Sequence, residues 1–434
     1  MLKKKTCDYF SIDDAPVTFC ELQDAVNSLN SEHHTIKLLK DFEGAGVIVD
    51  GKDVKFDFNQ HTFKASGTLA GSTGTKSQIF QLLKGSTVSM HNGTLTSDTA
   101  KMYIQNYSDL TLNNMTLDAS GKSQVTYVVS NNYGSLDVQN DTAIIAAEGA
   151  VAFDLWYGSK DFYEEGVTVN FGLEFTGFVK GNIEYGRSSA FSAMHADDWE
   201  DITELNIRNG EFDVEFKEGS AGALDNANIK IYDGIFTKNP EKFVAKGHYV
   251  DEIEDAYVVY QVNSDLPDDI NVKIDATSGD AISEGTKEGL LVQLEGSDLE
   301  NLNIAKVVNI ELFSEFGLQM TDTITPYSFH IPVDFPELAE GYTRKYYVVR
   351  YHLPSPIDEL VVDSWEVEYE DGEVVIESNL FSQFTIGYID TKEVKAPDTG
   401  KGAVSAAATS SVAAAIVAST LVSTAYAVSR AKRQ

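Results

Sequence analysis

The stretch Met194-His195-Ala196-Asp197-Asp198-Trp199-Glu200-Asp201 gathers residue types that could act on a sugar. The neighbouring carboxylates of Asp197 and Asp198 could do general acid/base work or hold a calcium ion, and Trp199 could stack on a sugar ring. Arg187 and Arg208 lie nearby in sequence. With 67 acidic residues in the chain, a solvated acidic loop is the plainer reading, and these three residues are assigned no catalytic role. A second aromatic group, Trp156-Tyr157 with Phe162-Tyr163, could also meet a glycan, although such residues more often pack beneath a loop. His33 and His34 read as surface residues at a helix-to-strand turn. His61 and His91 have no partner cysteine or histidine at zinc spacing, so no metal is assigned, and calcium in acidic loops is the one cofactor considered. Cys7 and Cys20 are the only cysteines. They are too few for a disulfide framework and read as two unrelated free thiols, unless the compartment is oxidising.

The charge balance narrows the partners. Sixty-seven acidic against 33 basic residues leaves a formal charge of −34, which repels phosphate backbones and excludes a nucleic-acid role. A hydrophobic share of 42% with 11% aromatics is enough for real cores and rules out global disorder. A length of 434 residues suits two or three domains.

The C-terminal region has three parts in order. Ala396-Pro397-Asp398-Thr399-Gly400 comes first, residues 403–428 then run without a charge, and Arg430, Lys432 and Arg433 follow. The uncharged run is long enough as a helix to cross a hydrocarbon core of about 30 Å, and the basic tail would stay cytoplasmic. A plain membrane anchor would share the last two parts. The full order resembles the cell-wall sorting signal of Gram-positive surface proteins: Pro397, Thr399 and Gly400 match its Leu-Pro-x-Thr-Gly pattern, while Ala396 departs from the leucine. The resemblance implies that a sortase cuts between Thr399 and Gly400 and joins Thr399 to peptidoglycan, which places the chain outside the cell. Met1-Leu2-Lys3-Lys4-Lys5 is basic, but Thr6-Cys7-Asp8-Tyr9-Phe10 is not an apolar run, so no signal peptide is read, and either an upstream start or a fragment is expected.

Elements that could carry these groups are all-β in pattern. Residues 15–262 open with Thr18-Phe19-Cys20-Glu21, a capping box with Val17 and Leu22 as its staple, followed by a helix with Leu22, Ala25, Val26 and Leu29 on one face. A short motif then recurs: two alternating apolar residues, a bend residue, another apolar residue. It stands at Val88-Ser89-Met90-His91-Asn92-Gly93-Thr94-Leu95, at Leu110 to Leu117, Leu136 to Asn140, Leu205 to Phe212 and Ile229 to Phe236, with a degenerate copy at Val167 to Phe171. Alternation gives strands with one buried face, and Asn92, Asn114, Asn209 and Asp233 are expected to take the left-handed backbone of a sharp bend. Stacked in register, such units would let side-chain amides bond along the stack. The pattern resembles the right-handed parallel β-helix of the pectin-lyase-like superfamily, with Val54 to Phe63 as an early coil and the Thr18 helix as its cap. An antiparallel sandwich using Asn-Gly hairpins is the competing fold.

Asn263-Ser264-Asp265-Leu266-Pro267-Asp268-Asp269 is a polar break, and residues 263–390 then read as an immunoglobulin-like β-sandwich. Its expected strands include Ile270 to Ile274, Leu290 to Leu294, Val307 to Phe313 and Val374 to Ile376, with Asp371-Gly372 as a hairpin turn. Residues 391–434 carry the linker, motif, span and tail. The expected function is adhesion or ligand binding at the cell wall, with sortase and peptidoglycan as partners and a glycan or host protein as ligand. A polysaccharide lyase or hydrolase, or a passive spacer, is the alternative.

Overall fold

The structure is a computed structural model that describes residues 8–15, 17–158, 166–187, 203–225, 227–267, 269–352 and 360–393. Met1–Thr391 forms one compact unit, and of the remainder, Lys392–Gln434, only Lys392 and Glu393 are described. The described residues are overwhelmingly strand, with two short α-helices, Leu22–Ser28 and Glu284–Leu291.

The recurring motif is the first of three parallel ladders. His34–Leu38, Asp53–Asp57, residues 87–91, residues 109–113, Gly134–Gln139, Val167–Phe171, Thr203–Ile207 and Asn228–Ile231 pair in that order, each parallel to the next. Past each bend lies a second ladder: Phe42–Gly44, Thr62–Ala65, residues 93–97, residues 115–118, Ala143–Ile145, residues 178–180, residues 211–213 and Gly234–Phe236. A third ladder runs through Val47–Val49, Gln78–Leu82, Met102–Asn106, Tyr127–Asn131, Val151–Tyr157, residues 182–187 and residues 215–218. Every motif copy therefore pairs with another copy, and none of the Asn bends joins two strands that pair as a hairpin.

Register explains why the alternation suffices. Val54, Val88, Leu110, Leu136, Val169, Leu205 and Ile229 are partners along the first ladder, and all are buried. Phe42, Phe63, Leu95, Leu117, Ile144, Val179, Phe212 and Phe236 do the same in the second. Each such side chain contributes about 1.5–3 kcal/mol on burial, so a one-residue slip that turned a row outward would be prohibitive.

The bends divide into two kinds. Asn92 and Asn114 take φ of 58° and 52°, the left-handed backbone expected of them, and Asn140 does the same at 52°. Asn209 and Asp233 do not. The left-handed residue there is the following glycine, Gly210 at φ 114° and Gly234 at φ 122°, whose N–H donates to Asn209 Oδ1 at 2.8 Å and to Asp233 Oδ1 at 2.6 Å. With a glycine available, the side chain is free to close the turn and the strain moves one position on. Amide stacking is present: Asn114 Nδ2 donates to Asn92 Oδ1 at 3.4 Å, Asn206 Nδ2 to Asn170 Oδ1 at 3.1 Å and Asn170 Nδ2 to Asp137 Oδ1 at 2.8 Å.

Three local expectations are corrected. Thr18 and Phe19 are extended and pair antiparallel with Ser11 and Phe10, so the helix starts at Leu22 with Glu21 as an N-cap that makes no side-chain cap bond; there is no capping box. Val17, read as a staple, is exposed, whereas Leu22, Ala25, Val26 and Leu29 bury the predicted face. Cys20 is disulfide-bonded rather than a free thiol, and the sequence has one other cysteine, Cys7. Leu290 to Leu294 is not a strand. It lies in the helix Glu284–Leu291 and the 3₁₀ turn Val292–Leu294, with Ser283 Oγ accepting from Thr286 N at 3.2 Å as the cap. Leu290 and Leu294 fall on one side of a helix and pack with Ile282, Leu299 and Leu302.

At the end of the second ladder, Gly234–Phe236 pairs antiparallel with Ala256–Gln261, which ends the parallel stacking of that ladder. His248–Ile253 then pairs parallel with residues 275–278, so one sheet continues across residue 263. Ile270–Ser278, Asn303–Ser314, Gln383–Lys392, Tyr342–His352 and Val361–Val367 extend it. A separate sheet holds Asn263–Ser264, Asp322–Pro332, Glu373–Leu380 and Tyr369–Glu370. Ile274, Val308, Ile310 and Phe384 of the first sheet share a core with Phe329, Ile331, Val374 and Ile376 of the second, and Tyr249 joins it from before residue 263. The hairpin at Asp371-Gly372 has φ of 52° and 85°, as its turn type requires.

Candidate functional site on the outer face of the third ladder

Asp197, Asp198 and Trp199 lie outside the described residues, as do Phe162 and Tyr163. So do Pro397, Thr399 and Gly400, the span 403–428, and Arg430, Lys432 and Arg433. Among the described residues no helix is long and apolar enough to cross a membrane, and no cluster of three metal-ligating side chains occurs. The two flanking arginines belong to different ladders. Arg187 ends a strand of the third, while Arg208 follows the first and lies 4.1 Å above the Tyr232 ring. His33 meets Asp53 at 2.6 Å, His34 meets Asp13 at 2.6 Å, and His91 is half-buried with its pKa lowered mainly by burial.

The polar and aromatic groups that do converge sit on the third ladder, in two adjacent rows. In the first row Gln81, Gln105, Ser130, Asp154, Glu184 and Lys217 are successive register partners. Alternation puts them outward, because Phe80, Ile104, Val129, Phe153 and Ile183 beside them are buried in the core. Gln81 Nε2 donates to Gln105 Oε1 at 3.0 Å, and Gln105 Nε2 to Tyr107 Oη at 2.9 Å. Asn132 Nδ2 donates to Ser130 Oγ at 2.9 Å, which donates to Asp154 Oδ2 at 3.2 Å. Asn131 N donates to Asp154 Oδ1.

Asp154 is 4% exposed, and burial pushes its carboxyl up to about 8, with the Glu184 charge adding to the effect and the Asn131 and Ser130 bonds opposing it. Asp154 is thus neutral below that pH while Glu184 stands beside it on the next strand. Tyr127 Oη donates to Glu184 Oε1 at 3.4 Å, and burial together with Glu184 raises the phenol to about 12.

The second row holds the aromatic surface. Trp156 is paired with Gly186, and Gly219 N donates to Tyr185 O, so two glycines follow the indole, Gly186 on the next strand and Gly219 just past the end of the one after it. Trp156 lies over both. A Cβ at residue 186 would stand 2.7 Å from Trp156 Cζ3, and one at residue 219 would stand 3.2 Å from the same atom and 3.0 Å from Glu184 Cγ. The glycines are there for that contact, since neither needs a left-handed backbone. Tyr157, by contrast, is fully buried against Tyr133. The aromatic pair thus splits, Tyr157 inward and Trp156 half-buried on the outward side. No family model matches this chain, and no curated protein or solved structure matches it.

Sequence reasoning reached Trp156 but missed Asp154, Glu184, Tyr127, Gly186 and Gly219. One signal was present: Asp154 interrupts the apolar run Val151-Ala152-Phe153-Asp154-Leu155-Trp156-Tyr157, and an acid inside such a run is headed for burial.

Proposed function

We propose that this is a glycan-binding surface protein whose three ladders form a right-handed parallel β-helix, presented outward by a sandwich and a sortase-type C-terminal anchor. The observation that carries the binding reading is the Trp156 indole laid over Gly186 and Gly219, beside the Glu184 carboxylate and the Tyr127 hydroxyl. A flat aromatic ring suits the apolar face of a pyranose, and a carboxylate at its edge accepts from sugar hydroxyls. The right-handed coil rests on the parallel order of the three ladders and on the strong bias of parallel crossovers to that hand. The anchor rests on the order of Pro397, Thr399 and Gly400, the uncharged run and the basic tail.

Binding is favoured over cleavage by the state of the paired carboxylates. Asp154 has both oxygens engaged by Ser130 and Asn131 and is out of reach of solvent, so it offers no free atom to a substrate. The test is a glycan array on the full chain, with product detection run alongside, comparing wild type with Trp156→Ala and Gly186→Ala. Retention of glycan on wild type and its loss in both variants supports the reading. Equal retention by all three, or release of shortened glycan, overturns it.

A further inference from the structure

Lys306 and Asp251 form the most deeply buried ion pair among the described residues. Nζ stands 2.5 Å from Oδ2, and the side chains are 2% and 0% exposed. Three neighbouring strands bring the groups together. Asp251 lies on His248–Ile253, which closes the coil; Lys306 lies on Asn303–Ser314; and Ile270–Ser278 runs between them, paired to both. Ser278, the register partner of Lys306, donates its hydroxyl to the Asp251 carboxyl, 3.0 Å from each oxygen. Lys306 Nζ also donates to Pro332 O, and the Tyr260 ring lies 5.8 Å from it.

A dry site is unfavourable for two full charges, and a proton passed from Nζ to the carboxylate leaves an amine and a carboxylic acid already in contact. Those are the two halves of an amide. We propose that Lys306 and Asp251 condense into an intramolecular amide that ties the coil covalently to the sheet beyond it. The Lys306 Nζ lone pair attacks Asp251 Cγ, and the Ser278 hydroxyl donates to the oxygen that gains negative charge. The Cγ–O bond to the protonated oxygen then breaks, that hydroxyl takes a proton from nitrogen, and one water leaves. No oxidant or co-reactant enters. Holding the two groups in contact replaces a bimolecular encounter, and the excluded water that allows the bond to form also keeps it from hydrolysing.

This inference is independent of the glycan reading. Its test is the intact mass of the full recombinant chain, denatured and reduced, followed by digestion and peptide sequencing. Wild type is expected to weigh about 18 Da less than its sequence, with a branched peptide joining Asp251 to Lys306. Lys306→Met, which lacks the nucleophile, is expected at full mass, and Ser278→Ala is expected to lower the water-deficient fraction. Any water-deficient population carrying the branched peptide upholds the proposal. Wild type entirely at full mass, with Asp251 and Lys306 recovered on separate linear peptides, overturns it without reference to how the variants fold.

Discussion

Asp154→Asn isolates the cost of keeping a buried carboxyl on the third ladder. The folded pKa is raised from 3.8 to about 8, chiefly by burial. A raised acid binds its proton more tightly when folded than when unfolded, so it is destabilising wherever the unfolded chain would ionise and the folded chain resists. Its contribution is constant below the unfolded value, declines as pH rises through the window, and levels off above about pH 8. From pH 5 to pH 8 the span is about three pK units at about 1.36 kcal/mol each, which sets a loss on the order of 4 kcal/mol from this group. The amide in Asp154→Asn keeps an oxygen for Asn131 N and does not titrate. Urea denaturation of both proteins at pH 5, 6.5 and 8 gives the difference in unfolding free energy, which removes the other carboxylates from the comparison. The variant is expected to gain on wild type steadily across the series. A difference that stays flat within about 0.5 kcal/mol would refute the buried, neutral Asp154.

Asn114→Val places a β-branched residue at φ 52°, removes the donor to Asn92 and the acceptor for Asp141 N, and is expected to cost about 2–4 kcal/mol in urea denaturation. Asn209→Val is expected to cost about 1 kcal/mol, because there the left-handed backbone belongs to Gly210. Reduction of the Cys20 disulfide is expected to lower the urea midpoint of wild type, by about 2–3 kcal/mol in stability, and to leave Cys20→Ser unmoved. In a sortase-bearing Gram-positive host, Thr399→Ala is expected to release the protein from the purified wall fraction, and unchanged wall retention would sink the sorting proposal.

What the sequence determined by itself was local and periodic. Alternating apolar residues at Val88 and Met90, or Leu205 and Ile207, favour strands with one buried face, and the Asn and Gly residues that follow favour a bend. The Asp371-Gly372 hairpin and the buried face of the first helix were legible for the same reason. Ambiguity entered where a signal depended on what lay opposite. Thr18 to Glu21 has the composition of a capping box, but Thr18 and Phe19 are drawn into pairing with Phe10 and Ser11. Leu290 to Leu294 is short enough to read as a strand or a helix turn. The site and the buried pair were decided by tertiary structure alone. Asp154 and Glu184 are 30 positions apart, and Asp251 and Lys306 are 55 apart. Loop lengths between successive strands of a ladder vary, so no spacing in the chain says which residues share a register; that is set when the apolar rows pack on one another and carry their outward neighbours into line.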